Sequence, residues 1–393
     1  MVTSICLCTH NRADSVKQVL KSILQQCTPP YEIVIVDDCS TEFSIFSLIG
    51  QELGAIAQVT SPLGHGKLGL KAELTIAKGE NTYKVPLIVY RNEKNLRHAA
   101  SQNLSMDLAH GDVLIHLEDD VVMPYHGWNQ TFAKVLQDHP EVGQVLPVGS
   151  GRGEWIERPG YHEFAWGLGG VWAITKQVYM AVGGWDTSLV HQLEPDYNLR
   201  VRMAGWRVAG CLDIPQMHHL GEGFEQETFG RQLSTTIGVY NMLRKWNARF
   251  FGFWDYRSVW SMSWDDFPPN VAFRRMTAAA LGMKLNENPE PFQFKGHWGK
   301  YELVRSIRPP GREREAELIN KMQSGFHFKD EHELFVQVLN LAKRMDVKEW
   351  QGFDMTTAAG VKAYLKDKAL DYAWVAEPMQ ANLSKPSIHD PNP

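Results

Sequence analysis

Residues 111–128 read GDVLIHLEDDVVMPYHGW, and the rest of the chain is best interpreted outward from this stretch. An apolar run of strand length over residues 113–117, interrupted only by His116, ends abruptly in three consecutive acids. Carboxylates at the end of a buried strand repel one another and resist desolvation, so they need a cation or hydrogen-bond donors. Oxygen ligands of this kind suit a hard divalent ion, Mg²⁺ or Mn²⁺. On Glu118, Asp119 and Asp120 alone, a metal site and a solvated acidic turn are both open.

The size and composition of the chain are typical of a soluble globular protein. Its 393 residues can form a large α/β domain and a second unit, with 44% hydrophobic and 22% charged residues. A net charge of −5 gives no global attraction to nucleic acid or to an anionic membrane. No apolar run approaches the ~18 residues that span a bilayer, and the first residues do not resemble a signal peptide. We therefore predict a cytoplasmic protein without a transmembrane segment, and leave peripheral attachment to a membrane open.

The five cysteines do not resemble a disulfide framework. Their number is odd, and Cys6 and Cys8 are one residue apart in an apparent strand. We predict reduced thiols, which agrees with a cytoplasmic protein.

The N-terminal residues predict a strand–helix–strand unit. Residues 2–8 form an apolar run of strand type, residues 12–25 carry helical spacing, and residues 33–36 form a second strand. Short connections of this kind give parallel strands with right-handed crossovers. In such sheets ligands bind beyond the carboxyl ends of the strands. The turns Thr9–Arg12 and Asp37–Thr41 are therefore predicted to lie together at the ligand edge.

Further elements extend this predicted domain to residue 229. Strands are predicted at 85–90, 144–148 and 208–212, and helices through Leu108, at 176–182 and beginning near Asp196. Residues 42–84 are predicted to be an irregular insertion with a loop and a hairpin. Glycines at 149, 151 and 153 predict a flexible lid rather than a phosphate loop.

Residues 230–393 predict an α-rich C-terminal extension. A long amphipathic helix follows residue 230, and helical segments are predicted near 313–322, 331–345 and 356–368. After the first of these helices, nine aromatic or arginine residues lie within 249–264. They could form either an interdomain core or a binding platform, and both interpretations are open. The polar, proline-bearing tail after residue 377 is predicted to be loose.

Acidic groups thus follow several predicted strands, and a pair of histidines follows another. A sheet edge with several carboxylates and a histidine suits a metal–diphosphate substrate, because the metal offsets the negative charge and assists the leaving group. A separate carboxylate can then act as a base.

In this order the motifs resemble those of a known family, the inverting, metal-dependent nucleotide-sugar glycosyltransferases of family two, which have the GT-A fold. The segment CTHNR resembles the family's opening strand and turn, and IVIVDDCST resembles its nucleoside motif. The segment NLRHAASQNLSMDLAHGDVLIHLEDD resembles the helix that leads to the D-x-D strand. VGGWDTSL and PDYNLRVRMAGWRV resemble the acceptor-side block. The resemblance covers roughly residues 2–222 and implies an α/β fold of GT-A type.

The resemblance also implies roles for individual residues. Asp196 would be the catalytic base that deprotonates the acceptor hydroxyl. The implied ligands of a Mn²⁺ or Mg²⁺ ion are Asp120, Glu118 and one of His218 and His219. The implied nucleotide-sugar contacts are Thr9, Asn11, Arg12, Asp37, Asp38, Asn95 and Asp119. The implied acceptor-side residues are Trp185, Asp186, Glu194 and Arg202.

Alternatives remain open for these residues and for the function. Asp37, Asp38 and Asp196 are also suited to capping the helices that follow them, and either histidine could be purely structural. A nucleotidyltransferase of similar sheet architecture and a catalytically silent binding module are the competing functions. We favour a UDP-sugar donor over a GDP-sugar, since an aspartate accepts a hydrogen bond from the uracil N–H. A glycan is the favoured acceptor, with a modified base in DNA as the alternative; the sequence does not determine the oligomeric state.

Overall fold

The computed structural model describes residues 1–54, 57–62, 69–167, 169–187, 189, 191, 193–220, 228–246 and 331–369. The predicted loop at 64–66, the aromatic run 249–264, the helix near 313–322 and the loose tail lie outside the described residues. Of the described residues, one compact unit contains 1–185 and 197–220, and a second contains 186–196, 228–246 and 331–369. The domain boundary proposed at residue 229 stays a prediction.

An eleven-stranded mixed sheet is the main feature of the first unit in the described part of the chain. Its order is β3-β4-β5-β2-β1-β6-β11-β8-β12-β10-β9. The strands are β1 Thr3–Thr9, β2 Tyr31–Asp37, β3 Ala57–Pro62, β4 Gly69–Lys78, β5 Asn81–Arg91, β6 Val113–Leu117, β8 Val142–Pro147, β9 Gly151–Arg158, β10 Tyr161–Gly167, β11 Val171–Thr175 and β12 Arg207–Cys211. A separate two-stranded ladder joins β7 Val121–Val122 to β13 His218–His219. The second unit contains β14 Glu349–Trp350 and β15 Phe353–Asp354.

In sequence, the helices of the first unit alternate with groups of these strands. They are α1 Ala13–Gln26, α2 Ile45–Leu53, α3 His98–Asp107, α4 Trp128–Asp138 and α5 Lys176–Val182, while α6 Leu193–Met203 begins in residues assigned to the second unit. The second unit also contains α7 Phe229–Trp246, α8 Glu331–Arg344 and α9 Ala358–Tyr364. The predicted α/β fold class, with helices following strands of the sheet, is confirmed by this architecture.

Four adjacent strands at the centre of the sheet are parallel. β5, β2, β1 and β6 pair in register so that Thr9 lies opposite Asp37, and Asp37 lies opposite Arg91. All residues of β1 and β2 are buried, and α1 packs its apolar face into the same core. The predicted strand–helix–strand unit is confirmed, and its carboxyl ends meet at one edge of the sheet.

A buried acid fixes the opposite edge of this parallel core. Glu32 Oε1 accepts hydrogen bonds from Ser4 Oγ at 2.6 Å and from the amides of His110 and Gly111 at 2.5 and 3.1 Å. Gly111 is required here, because a Cβ at this position would lie 2.5 Å from Ser4 Oγ. The start of β6 is thereby tied to β1 and β2, which sets where its acidic end lies.

The helices predicted for the C-terminal part are present where the structure describes that part. In α7, Leu233, Ile237 and Tyr240 are buried, as the amphipathic pattern predicts. α7 packs against α8, and Arg344 Nη2 donates a hydrogen bond to Gln232 Oε1. The predicted helices near 331–345 and 356–368 correspond to α8 and to α9 with the short π turn Leu365–Ala369.

Two features of the first unit differ from the prediction. Helix α2 lies inside the segment predicted to be irregular, because Ile45, Leu48, Ile49 and Leu53 form a buried helical face. The flexible lid predicted at 149–153 is wrong: Val148–Ser150 forms a 3-10 turn and β9 begins at Gly151 as the edge strand paired with β10. In addition, none of the described helices is both long and apolar enough to cross a membrane.

Candidate active site

Three of the predicted metal ligands come together at the end of β6. The ligand atoms of Glu118, Asp120 and His219 lie within 4.8 Å of one another. The β7–β13 ladder produces this arrangement, since His219 pairs with Val121 and the Leu220 amide donates to the Asp120 carbonyl at 2.7 Å. Successive strand residues face opposite sides, so His218 is not part of this group and its side chain is exposed.

The Asp120 carboxylate has the properties expected of a metal ligand. Its Oδ2 accepts a hydrogen bond from Arg12 Nη1, whereas its Oδ1 is buried and has no hydrogen-bond partner. A buried oxygen without a partner is costly, and a cation would satisfy it. Two carboxylates with one imidazole suit a hard or borderline divalent ion such as Mn²⁺. The residues present therefore fit a metal ion.

Asp119 is the most buried acid of the triplet. It is 8% exposed, and its Oδ1 accepts a hydrogen bond from Arg12 Nη1 at 3.3 Å. Burial raises the pKa of Asp119 to about 6, although the positive charge of Arg12 opposes this change. Since the Arg12 side chain is 51% exposed, its guanidinium borders both the acids and the solvent.

The adjacent acids Asp37 and Asp38 have different surroundings. Asp37 Oδ1 accepts from the Ser40 amide at 3.0 Å, and its buried Oδ2 has no hydrogen-bond partner and lies 3.6 Å from Arg91 Nη1. Asp38 Oδ1, in contrast, accepts from Asn92 Nδ2 at 2.8 Å and from the Leu96 amide at 2.7 Å. Asp37 thus presents an unused acceptor, whereas Asp38 ties the residues after β5 to the end of β2.

The turn after β1 is fixed by Asn11. Its backbone amide donates a hydrogen bond to Ser40 Oγ at 2.9 Å, and its side-chain Oδ1 accepts from the backbone amides of Thr41 and Glu42 at 2.8 and 3.1 Å. Asn11 itself has a φ of +55°, a conformation that asparagine tolerates better than most residues. The loops after β1 and β2 therefore form one connected surface.

Two other predicted nucleotide contacts lie near these loops. Thr9, the last residue of β1, is buried at 3% exposure and pairs in register with Asp37. Asn95 is exposed, and its Oδ1 accepts from the Arg97 amide at 3.0 Å in the turn before α3.

The predicted acceptor-side residues are divided between the two units. Trp185 belongs to the first unit, where Asn103 bonds both its amide and its carbonyl, at 2.7 and 2.9 Å. Arg202 is in the first unit as well and is buried; burial lowers its pKa to about 10. Asp186, Glu194 and Asp196 belong to the second unit.

Two of these acids, Glu194 and Asp196, lie in the first turn of α6. Asp196 is fully buried. Burial also raises the pKa of Glu194.

A cluster of rings that the sequence motifs do not predict lies behind the acidic end of β6. His116 is fully buried between Trp172 and Trp185, with ring centroids 5.2 and 4.8 Å away, and His98 lies 5.1 Å from Trp185. Cys8 Sγ lies 3.1 Å from His98 Nδ1. Burial lowers the pKa of His116 well below its ordinary value, so the ring is neutral. The available signal was a histidine inside an otherwise apolar strand, two residues before the acids.

Comparisons with known proteins agree with the motifs. Residues 4–45 match the family model described as glycosyl transferase family 2. An uncharacterized glycosyltransferase of Haemophilus influenzae is 29% identical over 117 residues, which are 30% of this chain and 29% of that protein. The chain therefore spans less than a third of the length of this curated relative.

Two solved structures are similar to this chain at low sequence identity. The mannosyltransferase PcManGT from Pyrobaculum calidifontis, in complex with GDP-Man and Mn²⁺, is 17% identical with a TM-score of 0.43, over 62% of this chain and 63% of that one. S. aureus TarS 1-349 in complex with UDP is 12% identical with a TM-score of 0.42, over 90% of this chain and 94% of that one.

The match to the family model runs from β1 through α1 and β2. It therefore includes the segments that carry Asn11, Arg12, Asp37 and Asp38. The resemblance predicted from the ordered motifs is therefore confirmed to the extent that residues 4–45 match the model of glycosyl transferase family 2.

Proposed function

We propose that this chain is an inverting, metal-dependent glycosyltransferase. It would move a sugar from a nucleotide-sugar to a hydroxyl group of a glycan acceptor. One observation carries the proposal. Glu118, Asp120 and His219 converge at the same sheet edge where Asp37 keeps a buried acceptor oxygen without a hydrogen-bond partner. A metal–diphosphate beside a nucleoside needs these two features side by side.

The donor would be held by residues on three loops. Glu118, Asp120 and His219 would hold a Mn²⁺ or Mg²⁺ ion, which supplies charge neutralisation for the diphosphate leaving group. The half-exposed Arg12 guanidinium offers a second positive charge to a diphosphate oxygen. Thr9 ends β1, and Asn11 and Asn95 lie on the loops that border this region.

Asp37 is the residue we assign to the base. Its Oδ2 can accept a hydrogen bond, and uracil offers an N–H at its pairing edge. We therefore favour UDP over GDP. Asp37→Asn should weaken UDP binding, since the amide retains only one acceptor oxygen. Equal affinity of this variant for UDP, by isothermal titration calorimetry, would contradict the assignment.

Asp196 is the residue we assign to the acceptor. One-step displacement inverts the anomeric centre and needs a base on the face opposite the leaving group, and a buried carboxylate in the first turn of a helix is suited to that role. Asp196→Asn should lower kcat by about 10²–10⁴-fold with donor binding nearly unchanged. Asp138→Asn, at the remote end of α4, is the control and should keep the kcat of wild type. A product that retains the donor's anomeric configuration would refute the assignment.

The most direct experiment measures UDP binding with and without Mn²⁺ by calorimetry. Asp120→Asn should remove the part of the affinity that depends on Mn²⁺. Asp138→Asn, at the remote end of α4, should leave it intact. Unchanged Mn²⁺-dependent affinity in Asp120→Asn would sink the proposed metal site.

Product analysis then separates the competing functions. A glycosyltransferase releases a nucleoside diphosphate, a nucleotidyltransferase releases pyrophosphate, and a silent binding module releases neither. An acceptor in DNA would give a steep loss of acceptor affinity with added salt, whereas a neutral glycan would not.

A further inference from the structure

We propose a second cation site in this chain, formed by His98, His116 and Glu118, that takes a borderline transition-metal ion such as Zn²⁺ or Co²⁺. It shares Glu118 with the group of Glu118, Asp120 and His219 that is proposed to hold the metal ion of the donor, here called the donor-metal group. The inference does not depend on the sugar, the nucleotide or the acceptor.

The three side chains come from separate positions that the fold brings together. His116 is in β6, Glu118 directly follows that strand, and His98 is the first residue of α3. Their ligand atoms all lie within 4.8 Å of one another. A separation of this size lets one ion contact all three after small side-chain adjustments, since metal–ligand bonds are about 2.0–2.2 Å long.

His116 is the residue that most needs a ligand. It is 0% exposed, and neither its Nδ1 nor its Nε2 has a hydrogen-bond partner. Its ring neighbours do not provide one, because the Nε1 atoms of Trp172 and Trp185 are also buried without acceptors. A neutral imidazole with an unused lone pair in an apolar surrounding is a strong ligand for a transition metal.

The position of Glu118 depends on Gly170. A Cβ at Gly170 would lie 2.7 Å from Glu118 Oε2, so the glycine makes room for the carboxylate. The Gly170 carbonyl also accepts a hydrogen bond from the Glu118 amide at 2.7 Å, which fixes the backbone there. His98 is exposed, so an ion can reach the site from solvent.

The two ligand sets prefer different ions. Two imidazoles and one carboxylate favour zinc-like ions, whereas two carboxylates and one imidazole favour harder ones. Glu118 has two carboxylate oxygens and can offer one to each site. Two neighbouring cations of this kind occur in enzymes that act on phosphate esters.

The test uses the tag-free, chelator-treated full chain carrying Asp120→Asn, which disables the donor-metal group. Equilibrium dialysis against Co²⁺ should give about one ion per chain, with the visible absorption of a nitrogen-ligated ion. Adding His98→Gln or His116→Gln should weaken Co²⁺ binding by at least about tenfold. Adding His126→Gln, an exposed histidine outside the cluster, should change nothing.

Two results would overturn the proposal. One is an Asp120→Asn chain that binds no Co²⁺; the other is undiminished Co²⁺ binding after His98→Gln. Because His98 is exposed, that variant keeps the test decisive even where His116→Gln fails to fold. No nucleotide or sugar is present, so failure of the glycosyltransferase proposal leaves this outcome unaffected.

Discussion

Asp38→Ala is the substitution that best tests how the ligand edge is built. Asp38 is 4% exposed, and its Oδ1 accepts two hydrogen bonds, from Asn92 Nδ2 and from the Leu96 amide. Asn92 is itself buried, and its side chain also donates to Ser101 Oγ at 2.8 Å. Alanine at 38 therefore removes the acceptor that joins β2, the end of β5 and α3.

The expected loss follows from the donors left behind. The Asn92 N–H becomes a buried donor without a partner, while the Leu96 amide is part-buried and can reach water more easily. A buried unsatisfied donor costs about 1–3 kcal/mol, so Asp38→Ala should lower the free energy of unfolding by about 2–4 kcal/mol in total. Asp38→Asn keeps one carbonyl oxygen at the same position and should cost less than half as much.

Urea unfolding of the metal-free chain, followed by tryptophan fluorescence, measures this difference. Asp138→Ala, on the exposed end of α4, is the control and should stay within about 0.5 kcal/mol of wild type. An Asp38→Ala variant as stable as that control would refute the reasoning. It would mean that Asn92 and Leu96 find other partners without cost.

Three further changes test separate parts of the same unit by urea unfolding. Burial raises the pKa of Asp119 from 3.8 to about 6, so its stability contribution is present at low pH and lost as the pH rises through 6. The free energy of unfolding of Asp119→Asn should thus exceed that of wild type by about 2–3 kcal/mol near pH 7.5 and equal it near pH 4. A difference between the two proteins that does not change with pH would contradict this. Gly111→Ala should destabilise by about 1–3 kcal/mol because its Cβ meets Ser4 Oγ, whereas Gly50→Ala, with nothing within 4 Å in α2, should not destabilise. Asn129→Ala should cost about 2–4 kcal/mol, since its buried amide makes three hydrogen bonds; a loss under about 0.5 kcal/mol would contradict that.

The parallel core could be predicted because it rests on local patterns. Buried parallel strands are short apolar runs, and acids directly after two of them could only lie at the carboxyl edge. β1 and β2 could be predicted as neighbours although a helix separates them in sequence, because the βαβ unit determines which strands pair. Helix α2 was missed because its apolar face lies in a segment interrupted by Gly50 and followed by glycine-rich residues.

The partners of the site residues could not be predicted in the same way. Both His218 and His219 pair with β7, so the choice between them depends on which side chain lies on the same side of the ladder as Glu118 and Asp120. A two-residue ladder leaves no periodicity from which to predict this. The cluster of His98 and His116 joins residues from a helix start and a strand interior, which only the packing of α3 on the sheet brings together. The same holds for Asp37 and Asp38, whose different surroundings depend on Asn92.

The two ends of β2 differ in how fully the chain satisfies the hydrogen-bonding capacity of a buried acid. Both Glu32 and Asp37 are buried acids on this strand. At the amino end, Glu32 Oε1 accepts three hydrogen bonds and Oε2 contacts His110 Nδ1 at 3.3 Å, so both its oxygens are engaged. At the carboxyl end, one oxygen of Asp37 has no hydrogen-bond partner, and the same is true of Asp120 Oδ1 after β6. Burying such oxygens costs folding free energy, and a bound nucleotide and cation would recover it. If the proposed function is correct, the chain should therefore gain stability on donor binding at the carboxyl edge, where these two oxygens lack hydrogen-bond partners.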